Sequence, residues 1–170
     1  MPVSVTSSRL LHEALKACGV RVVSALPETW LVPLVRALEE DPEIRLVHLA
    51  REEEGVGIGM GAQLAGTRSA LLMQNHGFLA AINGLVSGAQ LYRIPLLMLI
   101  TYRGEAGERD PWHRRGGAVT PHVLDALRIP YELLEEPAHV ERRMRDSFTL
   151  AETSERPAAL LLRRGLMWEE

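Results

Sequence analysis

The chain of 170 residues has little cysteine, few aromatic residues and no excess of charge of either sign. The single cysteine, Cys18, excludes a disulfide framework and a cysteine-rich zinc site, and it fits a reducing compartment. Aromatic residues make up 5% of the chain, so we expect an aliphatic core with methionine. A formal net charge of −3 gives no support to nucleic-acid binding as the main role.

Long apolar runs and targeting segments are absent as well. No stretch approaches the ~20 apolar residues that a membrane span needs, and no basic segment leads into an apolar one at the N-terminus. We therefore expect a cytoplasmic protein that has no membrane-bound part. The chain also has no internal repeat, no linker, no G-x-S-x-G elbow and no Walker A loop, and its length predicts one domain over residues 1–170.

The apolar pattern alternates between strand-like and helix-like segments. Strands separated by helix-length segments predict right-handed crossovers, and hence a doubly wound α/β domain whose mainly parallel sheet has helices on both faces. We expect one helix capped by Thr6, Ser7 or Ser8, another running without interruption over 75–92 from Asn75 as its cap, and a polar loop over 103–118. The predicted strands are 20–26, 44–50, 69–74, 94–102, 129–133 and 157–164.

Ligands of such sheets bind outside the carboxyl ends of the strands. The loops expected at that edge carry polar side chains, which makes the edge the candidate site. His76 either simply starts a helix or contacts a ligand, and the segment 110–115 is either an exposed charged loop or an anion-binding lid. The loop residues in question are Pro27, Glu28 and Thr29, then Arg51 to Glu54, then Gln74, Asn75 and His76.

The segment HLAREEEGVGIGMGAQLAG, residues 48–66, places three glutamates before four glycines in seven positions. Each glycine costs a helix about 1 kcal/mol relative to alanine, so four cost roughly 3–4 kcal/mol. Close packing against a bare backbone must offset that cost, either within the domain or across a subunit interface. The match to G-x-G-x-x-A over 57–62 is weak support for nicotinamide binding, because three acids fill the turn where a diphosphate would bind.

The three glutamates have different expected environments. Glu53 and Glu54 suit a solvated first turn, where carboxylates complement the helix dipole. Glu52 precedes the glycine stripe by three residues, so it points along the same seam and could exchange a proton with a bound heterocycle. The i,i+4 spacing of His48 and Glu52 does not indicate a metal site, since no further ligand cluster follows. We expect no metal on this chain.

Two motifs together resemble a known family. AREEEGVGIGMGAQLAG and ALLMQNHGFLAAINGL are similar to the pyrimidine-binding domain of thiamine-diphosphate-dependent decarboxylases, and most of all to sulfopyruvate and phosphonopyruvate decarboxylases. ALPETWLVPL, ITYRGEAGERDPWH and VTPHVLDALRIPY fit the same group, so the resemblance covers nearly the whole chain. It departs from the family at His76, where relatives commonly have serine, and at Ala80-Ala81, where they have Gly-Asn.

The resemblance implies a role for one acid. In the family a glycine lies nine residues after the glutamate that contacts the aminopyrimidine ring, and Gly61 places that glutamate at Glu52, with Glu53 as the fallback. Glu52 would share a proton with the ring, and the thiazolium would take up electrons while carbon dioxide leaves a 2-oxo acid. The predicted contacts of thiamine diphosphate besides Glu52 are Pro27, Glu28, Thr29, Gln74, Asn75 and His76.

The resemblance also implies partners and a substrate. The family needs a domain with Gly-Asp-Gly that holds Mg²⁺ and the diphosphate, and this sequence contains no Gly-Asp-Gly. A separate β subunit would then supply it, with the cofactor at the interface and with homodimers or higher assemblies. His113 is the candidate substrate contact, and Arg114 and Arg115 the candidates for an anionic tail. The expected substrate is 3-sulfopyruvate; the alternatives are phosphonopyruvate, another 2-oxo acid, or a non-catalytic assembly or regulatory role.

Overall fold

The computed structural model describes residues 3–169, and within them six strands form one sheet. Every neighbouring pair of strands is parallel, in the order β2-β1-β3-β4-β6-β5. The predicted doubly wound α/β fold is therefore confirmed. The strands are β1 Val22–Ala25, β2 Arg45–His48, β3 Ser69–Gln74, β4 Leu96–Thr101, β5 Tyr131–Leu134 and β6 Pro157–Leu162.

Helices cover both faces of this sheet. One face packs against α1, α2 and α7, and the other against α3, α4, α5, a π-helical segment at Leu85–Gln90 and α6. Short 3₁₀ turns lie at Thr29–Leu31 and Pro137–His139. The helices are α1 Val5–Ala17, α2 Val32–Glu39, α3 Glu52–Leu64, α4 Asn75–Ala80, α5 Ile82–Gly84, α6 Pro111–Ala126, α7 Val140–Ser154 and α8 Arg164–Met167.

The core has two halves, one on each side of the sheet. Every residue of β4 and β6 is buried, as expected of central parallel strands covered on both faces. Leucine, alanine, valine, isoleucine and methionine supply most of both halves, as the scarcity of aromatic residues predicts. Cys18 is 7% exposed and burial raises the pKa of its thiol, so its predicted buried position is confirmed.

The strand order places a crevice at the carboxyl ends of β1 and β3. The chain leaves β1 to form β2 on one side and then crosses to β3 on the other, so connections depart in opposite directions at this point. Doubly wound sheets bind ligands at such switch points. No helix within residues 3–169 is long and apolar enough to cross a membrane.

Three local predictions were wrong. Ser4 caps α1, because its hydroxyl accepts the backbone N–H of Ser7, at 3.1 Å. The segment 75–92 is broken into α4, α5 and the π-helical segment, and Gln74 rather than Asn75 precedes its first turn as the N-cap. The expected loop over 103–118 is a turn only as far as Asp110, since α6 begins at Pro111.

The glycines of α3 fall into two groups. A Cβ atom on Gly55 would overlap Leu71, and one on Gly59 would overlap Leu96, so these two let the helix lie directly on the sheet. Nothing lies within 4 Å of a Cβ on Gly57 or Gly61. Close packing within the domain therefore accounts for Gly55 and Gly59 only, and Gly57 and Gly61 leave a bare strip on the outer side of α3.

Substitution by alanine should change the free energy of unfolding in opposite directions in the two groups. Gly57→Ala and Gly61→Ala should each raise the free energy of unfolding by about 0.5–1 kcal/mol, because alanine loses less conformational entropy on folding. Gly55→Ala should lower it by about 1–3 kcal/mol through overpacking. Urea unfolding of the three variants measures this. Equal responses at all three positions would contradict the division.

Candidate functional site

The three glutamates that open α3 have distinct surroundings. The Glu54 carboxylate accepts the backbone N–H groups of Ala50 and Arg51, at 3.0 and 3.2 Å, and so caps the helix. The Glu53 carboxylate accepts from the Asn83 amide at 3.0 Å. The Glu52 carboxylate has no hydrogen bond or ion pair with any other residue of the described part of the chain.

Glu52 lies against the start of α4. A Cβ atom on Gly77 would overlap the Glu52 carboxyl and its Cγ atom, so the bare glycine backbone is what admits this side chain. Glu52 is half-buried there, at the carboxyl edge of the sheet. It is thus a half-buried carboxylate beside a bare glycine backbone, and its oxygens have no partner among the described residues.

Glu28 is the second unusual acid. It follows β1 at the switch-point crevice, and both of its carboxyl oxygens are buried without an aligned hydrogen bond within residues 3–169. Its polar neighbours are the Trp30 backbone N–H, the Thr101 hydroxyl and the Gln74 amide, and Arg103 lies close enough to act electrostatically. Burial raises the pKa of the Glu28 carboxyl above its ordinary value, more than these neighbours lower it.

The raised pKa of Glu28 predicts a pH-dependent stability. Below about pH 4.5 the carboxyl is neutral in both the folded and the unfolded chain, and the folded state is not penalised. As the pH rises towards the folded-state pKa, only the unfolded chain ionises freely, so stability falls by about 1.4 kcal/mol per unit of pKa difference. Glu28→Gln should therefore unfold at the wild-type temperature at pH 4 but at a higher temperature at pH 8. A gain of equal size at both pH values would contradict the raised pKa of Glu28.

Gln74, Asn75 and His76 follow β3 and differ in their contacts. Asn75 is fully buried, and its amide donates to the backbone oxygen of Arg103 at 3.0 Å, which links β3 to the segment after β4. Gln74 Oε1 lies 3.2 Å from His76 Nδ1, so the amide orients the imidazole. The buried Asn75 side chain therefore acts by holding the backbone of Arg103. Gln74 and His76 are half-buried, so their side chains lie at the edge itself.

His113 lies next to His76. The two ring centroids are 5.4 Å apart with the planes tilted by 57°, which places a residue from the first turn of α6 beside one from α4. His113 is 8% exposed, and its Nδ1 atom is buried without a hydrogen-bond partner among residues 3–169. Burial, followed by the Arg103 charge, lowers the pKa of its imidazole, so the uncharged ring is favoured.

The neighbouring arginines are less enclosed. Arg114 is exposed, and its Nη2 donates to the backbone oxygen of Glu108 at 3.4 Å. Arg115 is exposed on α6. Pro27 and Thr29 are also exposed, on either side of Glu28.

Gly116 makes room for His76. A Cβ atom at this position would overlap Cε1 and Nε2 of the His76 ring. Gly116→Ala should therefore displace the ring from Gln74 and His113, at little cost in the free energy of unfolding because the displaced atoms are the far end of a half-buried side chain. NMR spectra of the histidine rings and urea unfolding measure the two effects. Gly57→Ala, which meets open space, is the control, and unchanged ring signals in Gly116→Ala would contradict the contact.

The structure brings most of the predicted site residues together at one edge. Glu28 lies beside Gln74, Glu52 lies on Gly77, and His76 lies on His113. Arg115 points to solvent. No group of three His, Cys, Asp or Glu side chains within 3–169 is arranged to hold a metal ion.

The sequence reasoning missed Gly77, Thr101, Arg103, Glu108 and Gly116. For the turn that holds Arg103 and Glu108, the sequence signal was the presence of Gly104 and Gly107, which have φ of 99° and 90° in the structure. Two such glycines three residues apart indicate a tight turn rather than a long loop.

Comparison with known proteins shows the family of the chain. Residues 5–126 match the family model of the thiamine pyrophosphate enzyme N-terminal TPP binding domain, so the chain belongs to that family. The resemblance seen in the sequence is thereby confirmed, and with it thiamine diphosphate as the cofactor of the family.

Individual relatives extend the comparison. The chain is 33% identical over 165 residues to sulfopyruvate decarboxylase subunit alpha of Methanococcus maripaludis, covering 97% of this chain and 98% of the relative. It is 29% identical over 165 residues to phosphonopyruvate decarboxylase of Streptomyces viridochromogenes, of which it covers 41%. These names agree with the predicted class, a subunit of a thiamine-diphosphate-dependent decarboxylase.

A solved structure supports the fold. The 2-oxoglutarate:ferredoxin oxidoreductase from Magnetococcus marinus superposes with a TM-score of 0.72 at 18% identity, covering 98% of this chain and 30% of that one. At this identity the likeness concerns the architecture alone.

Proposed function

We propose that this chain is the α subunit of a thiamine-diphosphate-dependent decarboxylase that converts 3-sulfopyruvate into sulfoacetaldehyde and carbon dioxide. The observation that carries the proposal is the Glu52 carboxylate, half-buried at the carboxyl edge of the sheet without a protein partner in residues 3–169. The relatives named as sulfopyruvate decarboxylase subunits alpha support the substrate.

The residues present fit the aminopyrimidine half of the cofactor. A ring nitrogen that shares a proton needs a carboxylate whose oxygens are not engaged, and Glu52 meets that need while Glu53 and Glu54 do not. Glu52 would hold or release that proton at a carboxylate oxygen. The bound cofactor supplies the electron sink into which the bond to carbon dioxide breaks.

The other predicted residues have supporting parts in this proposal. Gln74 orients His76, and Glu28 is a buried acid with a raised pKa in the crevice between β1 and β3. Pro27, Thr29 and Asn75 would shape the same crevice through the backbone. His113 would meet the substrate, and Arg114 and Arg115 would attract its anionic tail.

A partner subunit completes the proposed site. The chain has no Gly-Asp-Gly motif, so Mg²⁺ and the diphosphate are assigned to a β subunit that carries it. The outer side of α3 suits a close contact with another chain: Gly57 and Gly61 have open space beside them, and Leu64 is 76% exposed. Homodimers or higher assemblies and a cytoplasmic location belong to the same proposal.

Reconstitution tests the assignment. The chain, a Gly-Asp-Gly-bearing partner, thiamine diphosphate and Mg²⁺ are mixed, and carbon dioxide release is followed with 3-sulfopyruvate, phosphonopyruvate and pyruvate. Glu52→Gln should lower kcat about 100- to 10,000-fold, the range typical of a lost proton-transfer group. Its stability should stay at the wild-type value, because no hydrogen bond is lost.

Glu53→Gln is the matched control. A glutamine amide can still accept from Asn83, so turnover should stay near wild type. Loss of turnover in Glu53→Gln alone would move the catalytic role to Glu53. Full turnover in Glu52→Gln and Glu53→Gln alike would leave the chain an assembly or regulatory role only. Faster turnover of phosphonopyruvate than of sulfopyruvate would change the substrate and keep the class, in line with the phosphonopyruvate decarboxylase relatives.

A further inference from the structure

A buried ion pair braces the turn between β4 and α6. Arg103 and Glu108 are 8% and 6% exposed. Arg103 Nε donates to one Glu108 carboxylate oxygen at 2.7 Å, and Nη2 donates to the other at 3.2 Å. The guanidinium also lies 4.7 Å from the centre of the Trp30 ring. Two parallel hydrogen bonds and a stacking face fix the orientation of the guanidinium.

The Arg103–Glu108 pair also binds the segment that leads to His113. Glu108 Oε1 accepts the backbone N–H groups of Arg109 and Asp110, at 3.0 and 3.2 Å. Arg103 Nη2 donates to the Asp110 carboxylate at 3.2 Å, and Asp110 is the N-cap residue of α6. The first turn of α6, with His113 in it, is thus fixed from both members of the pair.

Arg103 is also linked to the segment that carries His76. The backbone N–H and oxygen of Arg103 are held by the side chain of Asn75, at 3.4 and 3.0 Å. Asn75 directly precedes His76. The backbone of Gly104 also packs on the backbone oxygen of His113, where a Cβ atom would overlap it. The ion pair therefore connects the segment after β3, which carries His76, with the segment after β4, which leads to His113.

We infer that Arg103 and Glu108 are positioning residues, whose buried ion pair fixes the turn 103–110 and thereby holds the His113 ring against His76. The value of this arrangement for the substrate rests on the proposed function, but the positioning itself does not. A ring held in this way is kept out of water and in one orientation, as a site must hold a group that meets a reacting molecule.

The charges around His113 make the inference testable. Burial and the charges of Arg103 and His76 lower the pKa of the His113 imidazole, whereas Glu108 and Asp110 raise it. Removing the Glu108 charge in an unchanged geometry would therefore lower this pKa further. Releasing the ring into water would instead raise it towards 6.5, because the burial penalty is lost.

Glu108→Gln separates these two results. Histidine-labelled full-length chain is titrated by NMR, and the contact between the His76 and His113 rings is followed by the nuclear Overhauser effect. We expect the contact to be lost and the His113 pKa to rise. A retained contact with a lowered pKa, in a folded variant, would overturn the inference.

Two further variants keep the test decisive. Glu152→Gln breaks another bidentate pair, Arg68–Glu152 at 2.7 and 2.8 Å, beside the amino end of β3, and should change neither signal. If Glu108→Gln unfolds because the buried Arg103 guanidinium loses its bidentate partner and keeps only Asp110, the double variant Arg103→Gln/Glu108→Gln removes both charges of the pair. Its ring contact should be lost as well, and a retained contact there would overturn the inference.

Turnover in the reconstituted enzyme separates the positioning role of the ion pair from the proposed function. With the proposed partner, kcat/KM of Glu108→Gln should fall about 10- to 100-fold, as expected of a displaced contact group. A lost ring contact with unchanged kcat/KM would support the positioning role and would remove His113 from the proposed substrate site.

Discussion

The close approach of α3 to the sheet at Gly55 and Gly59 is the constraint on which the site depends. Side chains normally fill the space between a helix and the sheet on which it packs. Without a Cβ at these two positions, the start of α3 lies low over the carboxyl ends of β1 and β3, and Glu52 is carried to Gly77. The close packing of Gly55 and Gly59 on the sheet thus offsets the cost of glycine in the helix that carries Glu52.

The architecture was predictable because the strands are either continuously apolar or alternate with clear helical periods. Each central strand reads as buried from its own residues, and parallel crossovers then bring the carboxyl ends to one edge. For that reason the sequence alone predicts that the loops after β1, β2 and β3 are neighbours. Those contacts follow from topology alone.

The start of α6 was not predictable from hydrophobic periodicity. Its inward-facing residues are His113, Gly116, Gly117 and Thr120, which are buried but carry no apolar side chain of any size. The segment therefore reads as polar along its whole length, although it is a buried helix start. The break in the segment 75–92 has a related origin, because Gly84 and Gly88 receive Glu53 and Met60 of α3, and such contacts between helices leave no local pattern.

The roles of the three glutamates also depend on distant groups. Position in the first turn of a helix suits all three equally. Only the fold shows that the Glu54 carboxylate accepts hydrogen bonds from the backbone before it. The Glu53 carboxylate accepts one from Asn83, thirty residues further along the chain. The family resemblance selects Glu52 by counting from a glycine, and among the three glutamates Glu52 is the one without a hydrogen bond to another described residue.

The bare strip at Gly57 and Gly61 has a consequence for engineering. A Cβ atom at either position meets nothing within 4 Å among residues 3–169, so a side chain that begins there starts in open space. A bulky residue on this chain and a matching recess on a docked surface would form an orthogonal pair. Substitutions at Gly57 and Gly61 would then change which partner chain binds to α3, while the packing of α3 on the sheet stays the same.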